Sequence, residues 1–408
     1  MDNRAKAIVL GGTFPHITLI KKLQKRGFYV ILLDYYENPP AKPIADEHIQ
    51  ESTLDKEAVL KIAKEREVDL VISTCIDQAN VTACYVGEKL GLSIPYNYKT
   101  ALNVTDKSLM KAMMMSNKIP TSRYQKVSDL LDLNINKFKF PLIVKPVDSN
   151  SSKGVKKIQS RDLINKYLSE AIGLSRDGNA IIEEFIEGKE IGIDCYIKNG
   201  KAEVLMVKER RKIDLKDNTQ QIYGCFWPDN LRSTILDRIT EIATDIAKAF
   251  NLDNTPLMIQ AIANNNDINV IEFAPRIGGG ESFRIIKLST GFDIVEAAID
   301  SYLNKSVEVT FKDPTLYYVE NFIYAQESKF KAISGFESLL NEGTIEYIDT
   351  FKSYGTQIGK DLTSNNRVGV FTVKGSTKEE TIEKIQKAVQ EIEVYDVNDQ
   401  PIMIKSIY

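Results

Sequence analysis

Two strand-like runs near residue 260 each carry one polar side chain where a buried strand has little use for it. Leu257–Ala263 (LMIQAIA) and Ile268–Ala274 (INVIEFA) flank the turn formers Asn264–Asp267, and together they read as a β-hairpin. The interruptions are Gln260 and Glu272. Side chains alternate along a strand, so a connection of odd length sets these two opposite each other on one face. An amide oxygen and a carboxylate that face each other in a buried sheet want a cation between them. Hard oxygen ligands combined with phosphates suit Mg²⁺ or Mn²⁺. The second run continues into Pro275, Arg276 and Gly278–Gly280, which sets a fork-shaped cation and donor-rich backbone beside the supposed ion. The competing reading is a plain hairpin with a solvent-facing Glu and a glycine turn.

Other charged residues interrupt apolar segments in the same way. Lys145 breaks the strand-like FPLIVKP (Phe140–Pro146), and charged residues are rarely buried unpaired. The next stretch, DSNSSKGV (Asp148–Val155), has the hydroxyls and glycine of a loop whose backbone N–H groups cup a phosphate, without the order of a Walker A motif. Lys107 falls in the first turn of a helix capped by Thr105 or Asp106, where the helix dipole disfavours a cation unless an anion is near. Glu183 and Glu190 lie on strand-like runs, placed to hold ribose hydroxyls and an adenine amine if a nucleotide sits there; the plain alternative is edge acids in water. Lys208 opens the basic run KERRK, usually a solvated face, from which one member reaches a terminal phosphate if one is near. The polar stretch Asp214–Gln221 that follows is a candidate substrate loop.

These residues need a scaffold. The first hundred residues alternate strand and helix: strand Ala7–Leu10, a Gly11-Gly12 turn, helix Ile17–Lys25, strand Tyr29–Leu33 ending at Asp34, helix Lys56–Glu65, strand Leu70–Ser73 and helix Ala79–Leu90. That rhythm is an open parallel sheet with ligand-binding loops at the strands' carboxyl ends, although GGTFPH lacks GxGxxG spacing. Further helices are expected over Arg161–Ala171, Leu231–Phe250 and Ile285–Leu303. Beyond Asn304 come the strands Tyr317–Ala325 and Arg367–Lys374 and the helix Lys378–Glu391, an α+β unit. The chain of 408 residues thus divides into an α/β domain over 1–105, a second domain over 106–304 with a lid near 120–190, and an α+β domain over 305–408.

Composition limits the functions available. The net charge of -3 gives no electrostatic footprint for nucleic acid or anionic lipid. Four scattered cysteines without a CxxC pair argue against zinc or a disulfide frame and for a reducing, cytoplasmic setting. The two histidines, His16 and His48, are far in sequence from the hairpin. No run approaches a membrane span, and the N-terminal apolar run is too short for a signal peptide.

Taken in order, Lys107, FPLIVKP, SSKG, EEFIEGKE, and Gln260 with IEFAPR resemble the ATP-grasp superfamily over roughly residues 1–300, in particular its carboxylate–amine ligase branch: L-amino-acid ligases, glycinamide ribonucleotide synthetase and the ATP-binding domains of carbamoyl phosphate synthetase. The last hundred residues are similar to the small final domain of such ligases. The resemblance implies an ATP-grasp fold with a pre-ATP-grasp parallel-sheet domain, and the cofactors ATP and Mg²⁺ (or Mn²⁺). It assigns Lys107 and Lys145 to the ATP phosphates, and Ser151, Ser152 and Gly154 to the phosphate loop. Glu183 would meet the adenine amine, the Glu184–Ile186 backbone would read the base, and Glu190 would hold the ribose. Lys208 is placed on the nucleotide's side, Gln260 and Glu272 become metal ligands, and Arg276 becomes the catalytic residue that steadies an acyl phosphate. The implied partners are a small carboxylate and an amine, or a thiol in a related branch, with a homodimer as one role for the C-terminal region. Phosphorylation of bicarbonate or formate is the alternative activity. Ala274 stands where the family shows Asn two residues after the metal-binding Glu, so a non-catalytic ATP-binding regulator is the third reading.

Overall fold

The computed structural model describes residues 3–148, 154–214, 220–227, 233–264 and 267–408. Its first unit is a four-stranded parallel sheet of Glu47–Gln50, Tyr29–Asp34, Lys6–Leu10 and Leu70–Ile72, side by side in that order. The apolar strands Lys6–Leu10 and Tyr29–Asp34 are buried on both faces, as parallel strands between helices must be. The first helix begins at Phe14, ahead of the expected Ile17, because Pro15 is tolerated in a first turn where its missing N–H is not needed.

This unit is packed against the rest of the chain. Helix Phe14–Lys25 meets helix Ile294–Tyr302 through Lys22 with Asp293 and Glu296, and through Arg26 with Glu296 and Asp300. One apolar core continues from the first sheet into Ile285, Ile286, Ile294 and Ile299. The single helix expected over Ile285–Leu303 is two, Ser282–Thr290 and Ile294–Tyr302. Gly291 stops the first with a left-handed φ of 82° and Asp293 caps the second, so one apolar period hides a break.

The segment expected to be a lid is an antiparallel sheet of four strands, Tyr124–Val127, Ala180–Glu184, Leu142–Pro146 and Lys156–Ile158 in spatial order. Alternation sorts its faces. Leu142, Val144 and Ile182 pack beneath helix Ile164–Leu174, while Lys145 and Glu183 point to the other face. The expected helix over Arg161–Ala171 starts as a 3₁₀ turn and is α-helical only from Ile164.

The centre is an eight-stranded sheet. Its order is Asp267–Ala274, Thr255–Asn264, Lys189–Lys198, Lys201–Asp214, Gln220–Trp227, Tyr317–Tyr324, Arg367–Gly375 and Tyr347–Thr350. Sheet pairing therefore runs without a gap from the hairpin into the C-terminal strands, through Cys225 opposite Glu320. One face is apolar, with Ile191, Ile193, Ile259 and Phe273 against helix Ser233–Ala249. The opposite face carries nearly all the chemistry.

Candidate active site

The hairpin places Gln260 directly opposite Glu272, on the polar face of the central sheet. The route to that register differs from the expectation. Asn264 pairs with Asp267, an even connection that by itself sets Gln260 against Ile271. A bulge between Gln260 and Ala261 takes up Ile271 as the extra residue and restores Glu272 to the face of Gln260. Across the neighbouring strands the same row continues through Gly192 to Lys208. Gly192 leaves room there for the Lys208 side chain, whose Cε would lie 2.6 Å from a Cβ at this position. The adjacent row runs Glu190, Arg210, Cys225, Glu320, Thr372 and Tyr347.

The lid contributes a buried knot of charge. Glu183 meets Lys145 Nζ at 2.6 Å through one oxygen and Lys111 Nζ at 2.7 Å through the other, and Ser122 donates to it at 2.8 Å. Burial pushes the Glu183 carboxyl up, yet the two ammonium groups outweigh it and hold it well below the usual carboxylate range. Lys145 stays above the ordinary lysine value despite burial, because Glu183 and then Glu272 face it. Burial dominates at Lys111 and brings it below its ordinary value. The knot carries two cations and one anion, an excess of one positive charge next to Glu272. A carboxylate with both oxygens on lysines positions those lysines; this differs from the expected role of Glu183 as acceptor for an adenine amine, and it excludes the edge-acid alternative, since the residue is only 5% exposed.

Lys111 went unnoticed in the sequence. It lies four residues after Lys107 on the helix Lys107–Ser116, so the two lysines share a face, and that spacing was the available signal. Asp106 caps this helix through the N–H groups of Ser108 and Leu109. Lys107 reaches Glu272 at 3.8 Å, an acid partner that offsets its unfavourable place in the first turn.

Other expected residues are distributed around this centre. Glu190 pairs with Arg210 at 3.2 Å and with Lys212. Lys208 is turned away from Glu272, into a buried pair with Asp194 at 2.8 Å, with Ser282 beside it and the Trp227 ring at 5.2 Å. This corrects the expectation that it reaches a terminal phosphate: its ammonium is already desolvated and matched. Gly154 adopts a φ of 74°, and a Cβ there would lie 2.8 Å from Leu174 Cδ1. Ser151 and Ser152 lie outside the described residues, as do 215–219 of the candidate substrate loop. The N–H groups of Glu184 and Phe185, expected to lie beside a base, bond to Arg123 O and Pro141 O. The Glu184 carboxylate accepts from Lys139 N at 2.9 Å.

Arg276 is held by the first domain. Its guanidinium makes a two-pronged pair with Asp77, at 2.7 and 3.0 Å, and donates to Ile277 O. Burial opposes its charge, but Asp77 holds it firmly protonated. Asp77, Lys107, Asp148, Arg176, Glu272 and Arg276 line a cavity of about 290 Å³ between the first domain, the lid and the hairpin. Beyond the glycines lies a second cluster, of opposite balance. Arg284, Asp349 and Glu320 gather around Glu281, with Arg284 3.2 Å from Glu281 and 2.7 Å from Asp349. Glu320 accepts the Glu281 N–H at 3.0 Å. Burial, with Asp349 and Glu320 adding to it against Arg284, pushes the Glu281 carboxyl up to about 8.

Among the described residues no three His, Cys, Asp or Glu side chains gather as a metal site. A divalent ion here fits only as one shared between Glu272, the Gln260 oxygen and ligands from outside the protein. Ala274 is buried on the same face, beside Met258, and adds no donor.

Lys111 from the helix Lys107–Ser116 and Lys145 from the strand Leu142–Pro146 thus meet beside an acid-bearing hairpin. The chain carries an ATP-grasp domain: residues 138–283 match the model of that domain, and residues 321–396 match the L-amino acid ligase C-terminal domain 2. It is 26% identical over 276 residues to the L-arginine-specific L-amino acid ligase of Bacillus subtilis, covering 66% of this chain and 64% of the relative. It is 26% identical over 205 residues to the multifunctional protein ura1 of Schizosaccharomyces pombe, covering 49% of this chain and 9% of the relative. The chain thus spans less than two thirds of the length of either curated relative. Its fold matches the crystal structure of L-amino acid ligase from Bacillus licheniformis with a TM-score of 0.79 at 19% identity, covering 97% of this chain and 99% of that one. Among the described residues no helix is long and apolar enough to cross a membrane.

Proposed function

We propose that the protein is an ATP-dependent ligase that joins a small carboxylate to an amine through an acyl phosphate, releasing ADP and phosphate. The observation that carries this reading is the excess positive charge of Lys111, Lys145 and Glu183 set beside Glu272 and Gln260. A polyanion is the ligand such an excess suits, and the acid–amide pair beside it suits a divalent ion. Glu272 and Gln260 would hold Mg²⁺, which when bound neutralises phosphate charge.

The protein's own groups then do the positioning. Lys145, kept charged by Glu183, offsets repulsion between the nucleotide and the incoming carboxylate. Arg276, oriented by Asp77, presents its free edge to the cavity where an acyl phosphate would form. Closure of the lid keeps water from that intermediate, which it would otherwise hydrolyse. No side-chain nucleophile is required. In this reading residues 106–304 hold the nucleotide, while 1–105 and 305–408 shape the acid and amine side. The four free cysteines accord with a cytoplasmic setting.

The N-terminal loop weighs against a phosphorylated acceptor. Gly12 N–H, the donor a phosphate at this strand end would take, is bonded to Asp34 at 2.7 Å, and Pro15 has none to offer. An acid already seated in the cradle repels a phosphate.

The test is a matrix of carboxylates and amines read by ATP-dependent phosphate release, with Glu272→Ala in parallel. Release should need both an acid and an amine and should vanish in the variant. Equal release by the variant would remove the site. Release that requires a ribonucleotide acceptor would replace the amino-acid-type reading.

A further inference from the structure

The ligase chemistry leaves one nucleophile without a task. Cys75 follows the strand Leu70–Ile72 at its carboxyl end, two residues before Asp77. It is only partly covered, whereas Cys84, Cys195 and Cys225 are buried. Its Sγ lies 3.9 Å from both ring nitrogens of the fully buried His16. Thr13 Oγ1 spans the pair, 2.8 Å from His16 Nδ1 and 3.7 Å from Sγ. Gly11 lets these loops close: its φ is +102°, and a Cβ there would meet Ile76 Cδ1 at 2.5 Å and His16 Cε1 at 3.1 Å.

Thiol, base and orienting hydroxyl are the parts that generate a nucleophile. Burial works against charge on both partners. Their mutual attraction outweighs it, holding the thiol below and the imidazole above their ordinary values, with Arg276 adding to the pull on the sulfur. Nothing in the proposed ligation needs this pair.

We propose that Cys75, paired with His16 and Thr13, is a redox-sensitive thiol oxidised by hydrogen peroxide to a sulfenic acid. The sulfur attacks one peroxide oxygen, and the S–O bond forms as the O–O bond breaks. Sulfur gives up two electrons and the peroxide is reduced. The departing hydroxide takes the proton of His16 and leaves as water. The product is a neutral group, one oxygen larger, next to the Asp77–Arg276 pair. This step is independent of the ligase reading, and its test uses no turnover.

The full chain is treated with limiting peroxide and dimedone, and all four cysteines are followed by peptide mass spectrometry. The iodoacetamide rate at Cys75 is measured from pH 5 to 9. The adduct should form at Cys75 and not at the three buried thiols. The alkylation profile should have its midpoint below the ordinary thiol value of about 8.5. His16→Gln should slow alkylation at pH 7 by about tenfold and move the midpoint to the ordinary value. An ordinary midpoint in the unaltered protein overturns the proposal, as does the absence of a dimedone adduct. So does an unshifted profile in a His16→Gln protein whose thermal melt matches the original. If that variant does not fold, the unaltered profile and Thr13→Val, which should shift it in the same direction, decide.

Discussion

Two clusters on the working side of this molecule use the same ingredients in opposite proportion. Around Glu183, two lysines surround one carboxylate. Around Glu281, one guanidinium, Arg284, stands against two further carboxylates, Asp349 and Glu320. Glu183 with its lysines is buried, as are Glu281 and Glu320, so neither cluster can rely on water alone, and each relieves its imbalance differently. The first holds Glu183 as a carboxylate between two lysines and retains a surplus of positive potential for an anion. The second drives a proton onto an acid, since Glu281 is held near 8. A buried cluster rich in bases is thus a standing anion site, and one rich in acids is a proton store.

The sharpest division between them is chemical. Lys145→Met should weaken ATP binding by calorimetry by about 2–5 kcal/mol, since it removes one partner of a desolvated pair and the charge that meets the phosphates. Glu281→Gln should leave nucleotide affinity within a factor of a few. Equal losses in both would end the distinction. Next in size is stability. Glu183→Gln leaves two buried lysines unmatched and should cost about 3–5 kcal/mol in urea unfolding.

The pH dependence of stability should have opposite sign at the two sites. The folded value of Glu183 lies below its unfolded one, so its contribution is present above the ordinary carboxylate range and is lost as the solution is acidified. The folded value of Glu281 lies above its unfolded one. Its contribution is complete below the ordinary value of 4.5 and is lost as pH rises through about 8. Melting temperatures of Glu281→Gln from pH 5 to 9 should therefore lack part of the alkaline decline of the unaltered protein, and an unchanged slope would show that Glu281 is ionised throughout. The smallest effect concerns the loop between the clusters. Gly280 has a φ of +76°, and a Cβ there would lie 3.1 Å from Glu320 Oε1, so Gly280→Ala should cost about 1–2 kcal/mol in the same unfolding assay.

Much of this arrangement was legible along the chain. The parallel sheet of the first domain, the cap at Asp106 and the pairing of the two hairpin strands follow from apolar periods and turn residues. So does the odd character of Lys145 in an apolar strand. Lys111 escaped because it sits in a methionine-rich helix that reads as plain core, and only its spacing from Lys107 hinted otherwise. The break at Gly291 escaped because the apolar stripe continues on both sides of it. The run at Lys208 reads as solvated or phosphate-binding, since nothing near it in sequence announces Asp194 across the strand.

The sequence by itself determined which segments become strands and helices, and which of their side chains are too polar to be buried without reason. These are local properties, fixed by side-chain period, capping and backbone freedom. Only the tertiary structure decided what those side chains meet. The bulge at Ile271 sets Glu272 against Gln260, Glu183 on the four-stranded sheet meets Lys145 beside it and Lys111 from a separate helix, and Asp77 takes hold of Arg276 from far along the chain. Such pairings join residues far apart in the chain, and their electrostatic consequence depends on burial that no local pattern encodes.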